Sequence, residues 1–173
     1  MTILRVEGLS KRYPAFCLRD VSFSIEEGRV MGLIGRNGAG KTTTIKSILR
    51  LVRPDGGTVQ FLGKPLDMDA SALRREAGYV SGDLCYYPRK RLSQLTAVTR
   101  SFYSAWDSAR YEALLRRFSL DDSKRVCELS AGMKVKYQLA CALSHGAKLL
   151  ILDEPTSGLD PVSRDDLLDL LRS

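Results

Sequence analysis

Short β-rich runs alternate with turn formers over the first third of the chain. Residues 3–6, 21–25 and 30–34 read as strands, separated by Gly8, the Tyr13-Pro14 pair and Glu26-Glu27-Gly28. The third run empties into a glycine-rich loop, and the period then changes. Ile45, Ile48, Leu49 and Val52 share one stripe, which predicts a helix over 41–52, stopped by Arg53-Pro54-Asp55-Gly56-Gly57. Residues 58–62 return as a strand, Asp69 is placed to cap a short helix reaching Glu76, and 78–80 reads as another brief strand. From about Leu84 to His145 the pattern is almost all helix, with Asp107 placed to cap 108–118 and Ser130 to cap a helix ending near Ser144. Residues 148–152 are apolar and of strand length. Asp160-Pro161 then opens a last helix with proline at its first position and Leu167, Leu168, Leu170 and Leu171 as apolar surface. This alternation predicts an α/β fold with a parallel-sheet core, interrupted by a helical insertion.

Composition narrows the class. With 173 residues, 44% hydrophobic and 27% charged, the chain is about one domain's worth of protein with enough apolar surface for a core. Its longest apolar stretches fall far short of the roughly 20 residues that cross a bilayer, and residues 1–11 lack the apolar block of a signal peptide. Cys17, Cys85, Cys127 and Cys141 are 68, 42 and 14 residues apart, too far for a zinc knuckle or redox dithiol, so reduced thiols in a cytosolic compartment are expected. Residues 1–150 carry 25 basic and 14 acidic side chains, whereas 151–173 carry 2 and 6. A basic surface of this kind suits nucleic acid, anionic lipid or a phosphorylated ligand, and charge alone does not choose.

The choice comes from a loop. Gly35-Arg36-Asn37-Gly38-Ala39-Gly40-Lys41-Thr42 matches the phosphate-binding pattern in full, between an apolar run and a helix. The glycines let successive N–H groups and the helix N-terminus face an anion. Lys41 adds a charge near the β and γ phosphates, the Thr42 hydroxyl suits Mg²⁺, and Thr43 adds a phosphate contact. Some 112 residues after Lys41, the apolar run 149–152 ends in Asp153 and Glu154. A carboxylate leaving a buried strand beside such a loop can hold Mg²⁺, assigned to Asp153, and a second can orient and polarise the attacking water, assigned to Glu154.

Leu129-Ser130-Ala131-Gly132-Met133, followed by Asp153-Glu154-Pro155-Thr156-Ser157-Gly158-Leu159-Asp160, resembles the nucleotide-binding subunit of an ABC transporter over nearly the whole chain. The first stretch is similar to the family's signature, usually Leu-Ser-Gly-Gly-Gln, and 157–160 to its D-loop. Tyr13 lies where the family places an aromatic that stacks on adenine. The resemblance implies a P-loop NTPase with an N-terminal antiparallel β subdomain, in which 1–83 and 146–173 form the catalytic core and 84–145 a helical subdomain. It implies ATP and Mg²⁺ as ligands, and ATP binding and hydrolysis that power an ABC-type membrane transporter through nucleotide-driven dimerisation. Lys41 and Glu154 would be catalytic, and Ser130, Gly132 and Asp160 would face the nucleotide of a second subunit, identical or different. Ser130 and Gly132 also have a reading of their own, since a hydroxyl and free N–H groups at a helix start attract an anion. The expected partners are integral-membrane permease subunits, docked near the helical segment that opens with Tyr86-Tyr87-Pro88, on the cytoplasmic face of the membrane.

Three departures qualify the resemblance. Ala131 and Met133 replace the usual signature residues. Gly82 stands where a glutamine normally reaches toward Mg²⁺ and the water, leaving Asp83 or Ser81 as substitutes, or coupling between nucleotide and permease through other contacts. The family's switch histidine follows the paired acids, but this sequence runs only 19 residues past Glu154, and His145 precedes them as a helix-end packing or capping residue. A C-terminally truncated subunit is therefore expected, its reading frame continuing through another strand to a histidine. A nucleic-acid-associated ATPase of the same superfamily and a small-molecule kinase are the alternatives. The first ordinarily carries a second nucleotide domain, coiled coil or basic linker, and the second does not account for the signature or the paired acids.

Overall fold

The computed structural model describes residues 1–66, 70–81, 87–157, 159 and 161–172. Backbone contacts divide the chain into two units, Met1–Arg74 and Arg75–Ser173.

The first unit is built on an antiparallel sheet. β1 (Thr2–Tyr13) and β2 (Phe16–Glu26) form a hairpin around Pro14 and Ala15, and β3 (Gly56–Phe61) and β4 (Lys64–Pro65) extend it in the order β2-β1-β3-β4. Alternation along β1 and β3 puts Leu4, Val6, Val59 and Phe61 inside. α1 (Lys41–Ile48) packs on β1 and β2 and buries Ile45, Ile48 and its cap residue Leu49. The helix ends four residues before the expected Val52, because Arg50 adopts a left-handed φ of 55°. Gly8 lies within β1, at a shift in register between Val6 and Leu9, where it acts as a bulge and not as a strand boundary.

One expected strand is absent. Residues 30–34 make no ladder bonds, and Val30 and Ile34 are 93% and 97% exposed. Strand propensity needs a neighbouring strand to pair with, and this unit's one sheet is made without the segment.

The chain continues through α2 (Ser71–Glu76) into the second unit, whose sheet is a parallel pair, β5 (Ala77–Ser81) with β6 (Leu149–Asp153). Between these strands lie α3 (Leu92–Arg100), α4 (Ser108–Arg117) and α5 (Ala131–Ser144), and α6 (Pro161–Arg172) follows β6. Among the described residues, the long helical reading thus resolves into three helices and a 3₁₀ turn at Val126–Glu128. Asp107 and Ser130 cap as expected, accepting from the N–H groups of Arg110 and Met133. Pro161 opens α6, and Asp69, Asp160 and Gly158 lie outside the described residues.

α5 has two apolar faces. Tyr137, Ala140 and Cys141 pack with Leu92, Leu95, Tyr111 and Leu114 of the helical segment, whereas Val135, Leu139 and Ala142 pack with Val80 and Leu167. Gly78 makes the second contact possible: a Cβ there would lie 2.5 Å from the Cβ of Ala142 and 2.8 Å from Leu150 Cδ2. Thr96 sits inside the helical cluster and shares hydrogen bonds with the phenols of Tyr111 (2.7 Å) and Tyr137 (3.1 Å). Among the described residues, no helix is long and apolar enough to cross a membrane.

Candidate functional site

In the first unit, the glycine-rich loop curls into the N-terminus of α1. Gly40 is the N-cap, at φ 97°, a conformation that glycine adopts without a side-chain penalty. A Cβ there would also lie 2.8 Å from Phe16 Cζ and 2.9 Å from Leu18 Cδ1, so β2 fixes how the loop enters the helix. Gly40 makes no side-chain cap bond and the first turn of α1 holds no acidic residue, so the helix dipole presents a positive end to the loop. Residues 35–39 are exposed, and Gly40, Lys41, Thr42 and Thr43 are half-buried. The Lys41 ammonium turns back over the loop and donates to the carbonyls of Gly35 (3.0 Å) and Arg36 (3.3 Å). Ala39 N–H closes the loop onto the Arg36 carbonyl at 3.0 Å. Asn37 and Gly38 form the outer turn, and a Cβ at Gly38 would meet nothing within 4 Å.

Tyr13 ends β1, 38% exposed, with its ring 6.5 Å from that of Phe16 and the Lys11 ammonium 5.7 Å from its centroid. Asp55, in the turn before β3, anchors this end of β1 by accepting from Arg12 N–H at 2.7 Å and Lys11 Nζ at 2.9 Å. The Arg12 N–H, and then Lys11, hold the Asp55 carboxyl below its ordinary range.

In the second unit, β6 delivers the acids. Asp153 is buried at 9% exposure, opposite Ser81 in the ladder, and its Oδ2 accepts from the Tyr79 hydroxyl at 3.4 Å. Burial, then the neighbouring Asp153 charge and this hydrogen bond, push the Tyr79 phenol above its ordinary value, so Tyr79 remains a donor. Glu154 is exposed and left-handed, at φ 50°. For a residue with a side chain, that conformation costs on the order of 1 kcal/mol and turns the chain sharply after the buried Asp153. Ser130 is exposed and Gly132 buried at the start of α5, whose first turn also lacks an acidic residue. Gly82 and Asp83 lie outside the described residues. His145 is the C-cap of α5, buried, its ring stacked 4.0 Å from that of Tyr103, in keeping with a packing and capping role.

Comparison with known proteins places this arrangement in a family. The sequence profile described as ABC transporter matches residues 18–157. The chain belongs to the ABC transporter family. It is 34% identical over 154 residues to ABC transporter ATP-binding protein YtrB of Bacillus subtilis, covering 89% of this chain and 52% of that protein. To the Nod factor export ATP-binding protein I of Burkholderia orbicola it is 39% identical over 171 residues, covering 95% of this chain and 56% of that one. A solved ATP-binding subunit of an ABC transporter superposes with a TM-score of 0.84 at 36% identity, covering 98% of this chain and 73% of its own. The fold is therefore the family's P-loop ATPase fold. The chain spans about half the length of the two curated relatives above.

Two contributors were not foreseen from sequence. Tyr79 is an ordinary strand tyrosine until the ladder sets it near Asp153. Gln138 bonds the backbone of Ser81, and its signal was available: a polar side chain beside the apolar stripe of Val135, Leu139 and Ala142 needs a partner.

Proposed function

We propose that this chain binds and hydrolyses ATP to drive a membrane transporter. One observation carries the reading: in a member of the ABC transporter family, a full phosphate loop meets the positive end of a helix and holds its lysine over the loop. The N–H groups of Gly35, Asn37, Gly38 and Gly40 would receive the phosphates, with Ala39 N–H holding the loop closed on Arg36, Lys41 beside the β and γ groups and Thr43 adding a contact. Tyr13 would stack on the adenine. The oxygen donors Thr42 and Asp153 fit Mg²⁺, which takes one or two protein oxygens and completes its shell with phosphate and water. Among the described residues, no cluster of three or more His, Cys, Asp or Glu side chains offers an alternative all-protein cage. Magnesium, when bound, would draw charge from the β and γ phosphates and lower the barrier to their separation.

Glu154 would orient the attacking water and accept its proton. Ser130 and Gly132 at the start of α5, with Asp160, would meet the γ-phosphate held by a second nucleotide-binding subunit, so that ATP closes the pair and ADP releases it. In this reading, 1–83 and 146–173 form the core, and 84–145 a helical subdomain facing integral-membrane subunits. Exposed Tyr87, Val98 and Phe102 on that segment support a protein-facing surface there. The relatives above are named as ATP-binding proteins of an ABC transporter and of Nod factor export, which supports the same assignment; in this reading the chain would work on the cytoplasmic face of the membrane. Glu154→Gln should abolish hydrolysis and trap an ATP-dependent dimer visible by light scattering. Monomer alone at saturating MgATP overturns the two-subunit site.

A further inference from the structure

α5 and the end of β5 are joined by a side chain that copies a strand. Gln138 Nε2 donates to the Ser81 carbonyl at 2.8 Å, and Gln138 Oε1 accepts from the Ser81 N–H at 3.1 Å. A carboxamide presents the same donor and acceptor as a peptide group, so one side chain fills both backbone groups of one residue, as a neighbouring strand would. Nε2 also lies 3.4 Å from the Lys134 carbonyl, one helical turn back, which sets the amide's orientation from within α5.

Ser81 sits at a junction. It pairs with Asp153 in the parallel ladder, and two residues before it Tyr79 donates to the Asp153 carboxylate. At the other end of the helix contact, Ala142 lies so close to Gly78 that no side chain fits between them. α5 is thus fixed to β5 by the apolar contacts of Val135, Leu139 and Ala142 and, at the strand end, by the pair of hydrogen bonds from Gln138. Eight residues separate Gln138 from Ser130, about 12 Å of helix, short enough to move as a rod.

We propose that Gln138 is a positioning residue that makes the N-terminus of α5 and the Asp153 strand end one lever, so that anion capture at Ser130 and Gly132 is felt at Asp153. This rests on the nucleotide reading above. Without the clamp, α5 keeps its apolar contacts with Val80 but loses the polar tie to Ser81, so that motion at its Ser130 end is passed to the strand end less directly.

The test is a double-mutant cycle on ATP hydrolysis in the whole protein. Gln138→Met keeps length and volume while removing the amide. It should lower kcat about tenfold and leave the KM for MgATP within about twofold. Ser130→Ala should lower kcat by at least a similar factor in the parent and by a several-fold smaller factor in the Gln138→Met background, because the part of its effect carried by the link is already lost. Tyr137→Phe, on the same helix but bonded to Thr96, supplies the control for general loosening: its effect should multiply with that of Ser130→Ala. If Gln138→Met fails to fold, Gln138→Glu takes its place, accepting from Ser81 N–H but unable to donate to the carbonyl. Independent multiplication of the Gln138 and Ser130 effects, or an unchanged kcat in Gln138→Met, overturns the lever while leaving the ATPase standing. A parent that does not hydrolyse ATP, or a Ser130→Ala variant without effect, overturns the nucleotide reading itself.

Discussion

Exchanging one methyl group between β5 and α5 tests the seat of α5. A Cβ at Gly78 would lie 2.5 Å from Ala142 Cβ, which is fixed to its helix backbone and cannot rotate away. Overpacking of this kind costs about 1–3 kcal/mol. Replacing a strand glycine recovers roughly 0.5–1 kcal/mol through the smaller entropy of the unfolded chain, so Gly78→Ala should lose about 0.5–2 kcal/mol net. Ala142→Gly should lose about 1 kcal/mol from helix propensity and a further ~0.8 kcal/mol from the buried methyl. Made together, the two substitutions move the methyl across the contact without adding volume. The clash with the Ala142 methyl disappears, the Leu150 Cδ2 tip 2.8 Å away can turn aside, the methyl is buried again, and the helix penalty is largely offset by the strand gain. A loss of about 0–1 kcal/mol is then expected, against roughly 2–4 kcal/mol if the single effects added. Urea denaturation followed by circular dichroism resolves the difference. A Gly78→Ala protein as stable as the parent, or a double variant whose loss equals the sum, would refute the close seating of α5 on β5.

Two further outcomes follow from buried polar groups. Thr96→Val should destabilise the helical unit more than Tyr137→Phe, by roughly 1–2 kcal/mol in thermal or urea melts, because it strips a partner from two buried phenols where the other variant removes only one of the three hydroxyls. Equal losses would contradict the shared network. His145, the chain's one histidine, has its pKa pushed below the usual 6.5 by burial. The unfolded chain therefore takes up a proton near pH 6.5 while the folded one resists. The His145 contribution should be flat above that pH and should weaken stability as pH falls from about 6.5 toward the folded pKa. His145→Phe should flatten a Tm-against-pH profile in that window, and an unaltered slope would contradict it.

How far the sequence anticipated this molecule depended on whether the deciding forces were local. Asp107 and Ser130 cap their helices because a side-chain oxygen two or three residues before a free N–H needs nothing distant. The phosphate loop was legible for the same reason: glycine spacing, the lysine and the helix start lie within eight residues. Residues 30–34 carry strand propensity but pair with nothing in their unit's sheet, since pairing is decided by long-range neighbours that a single run does not encode. The end of α1 turned on one left-handed residue, Arg50, whose composition gives no warning. Tyr79 became visible only when a parallel register set it near Asp153, and the partner of Gln138, a polar residue beside an apolar stripe, only when α5 packed on β5.

The most direct measurement is calorimetric titration of MgATP into the parent, Lys41→Ala and Asp153→Asn proteins, repeated with magnesium chelated. Loss of a charged hydrogen bond to phosphate is worth roughly 1.5–3 kcal/mol, so Lys41→Ala should weaken binding about tenfold to a hundredfold with or without the metal. Asp153→Asn should weaken it by about tenfold or more only when magnesium is present, and should match the parent once it is removed. Tight, unaltered MgATP binding by Asp153→Asn would mean that the acid at the end of β6 and the lysine at the start of α1 do not serve one nucleotide.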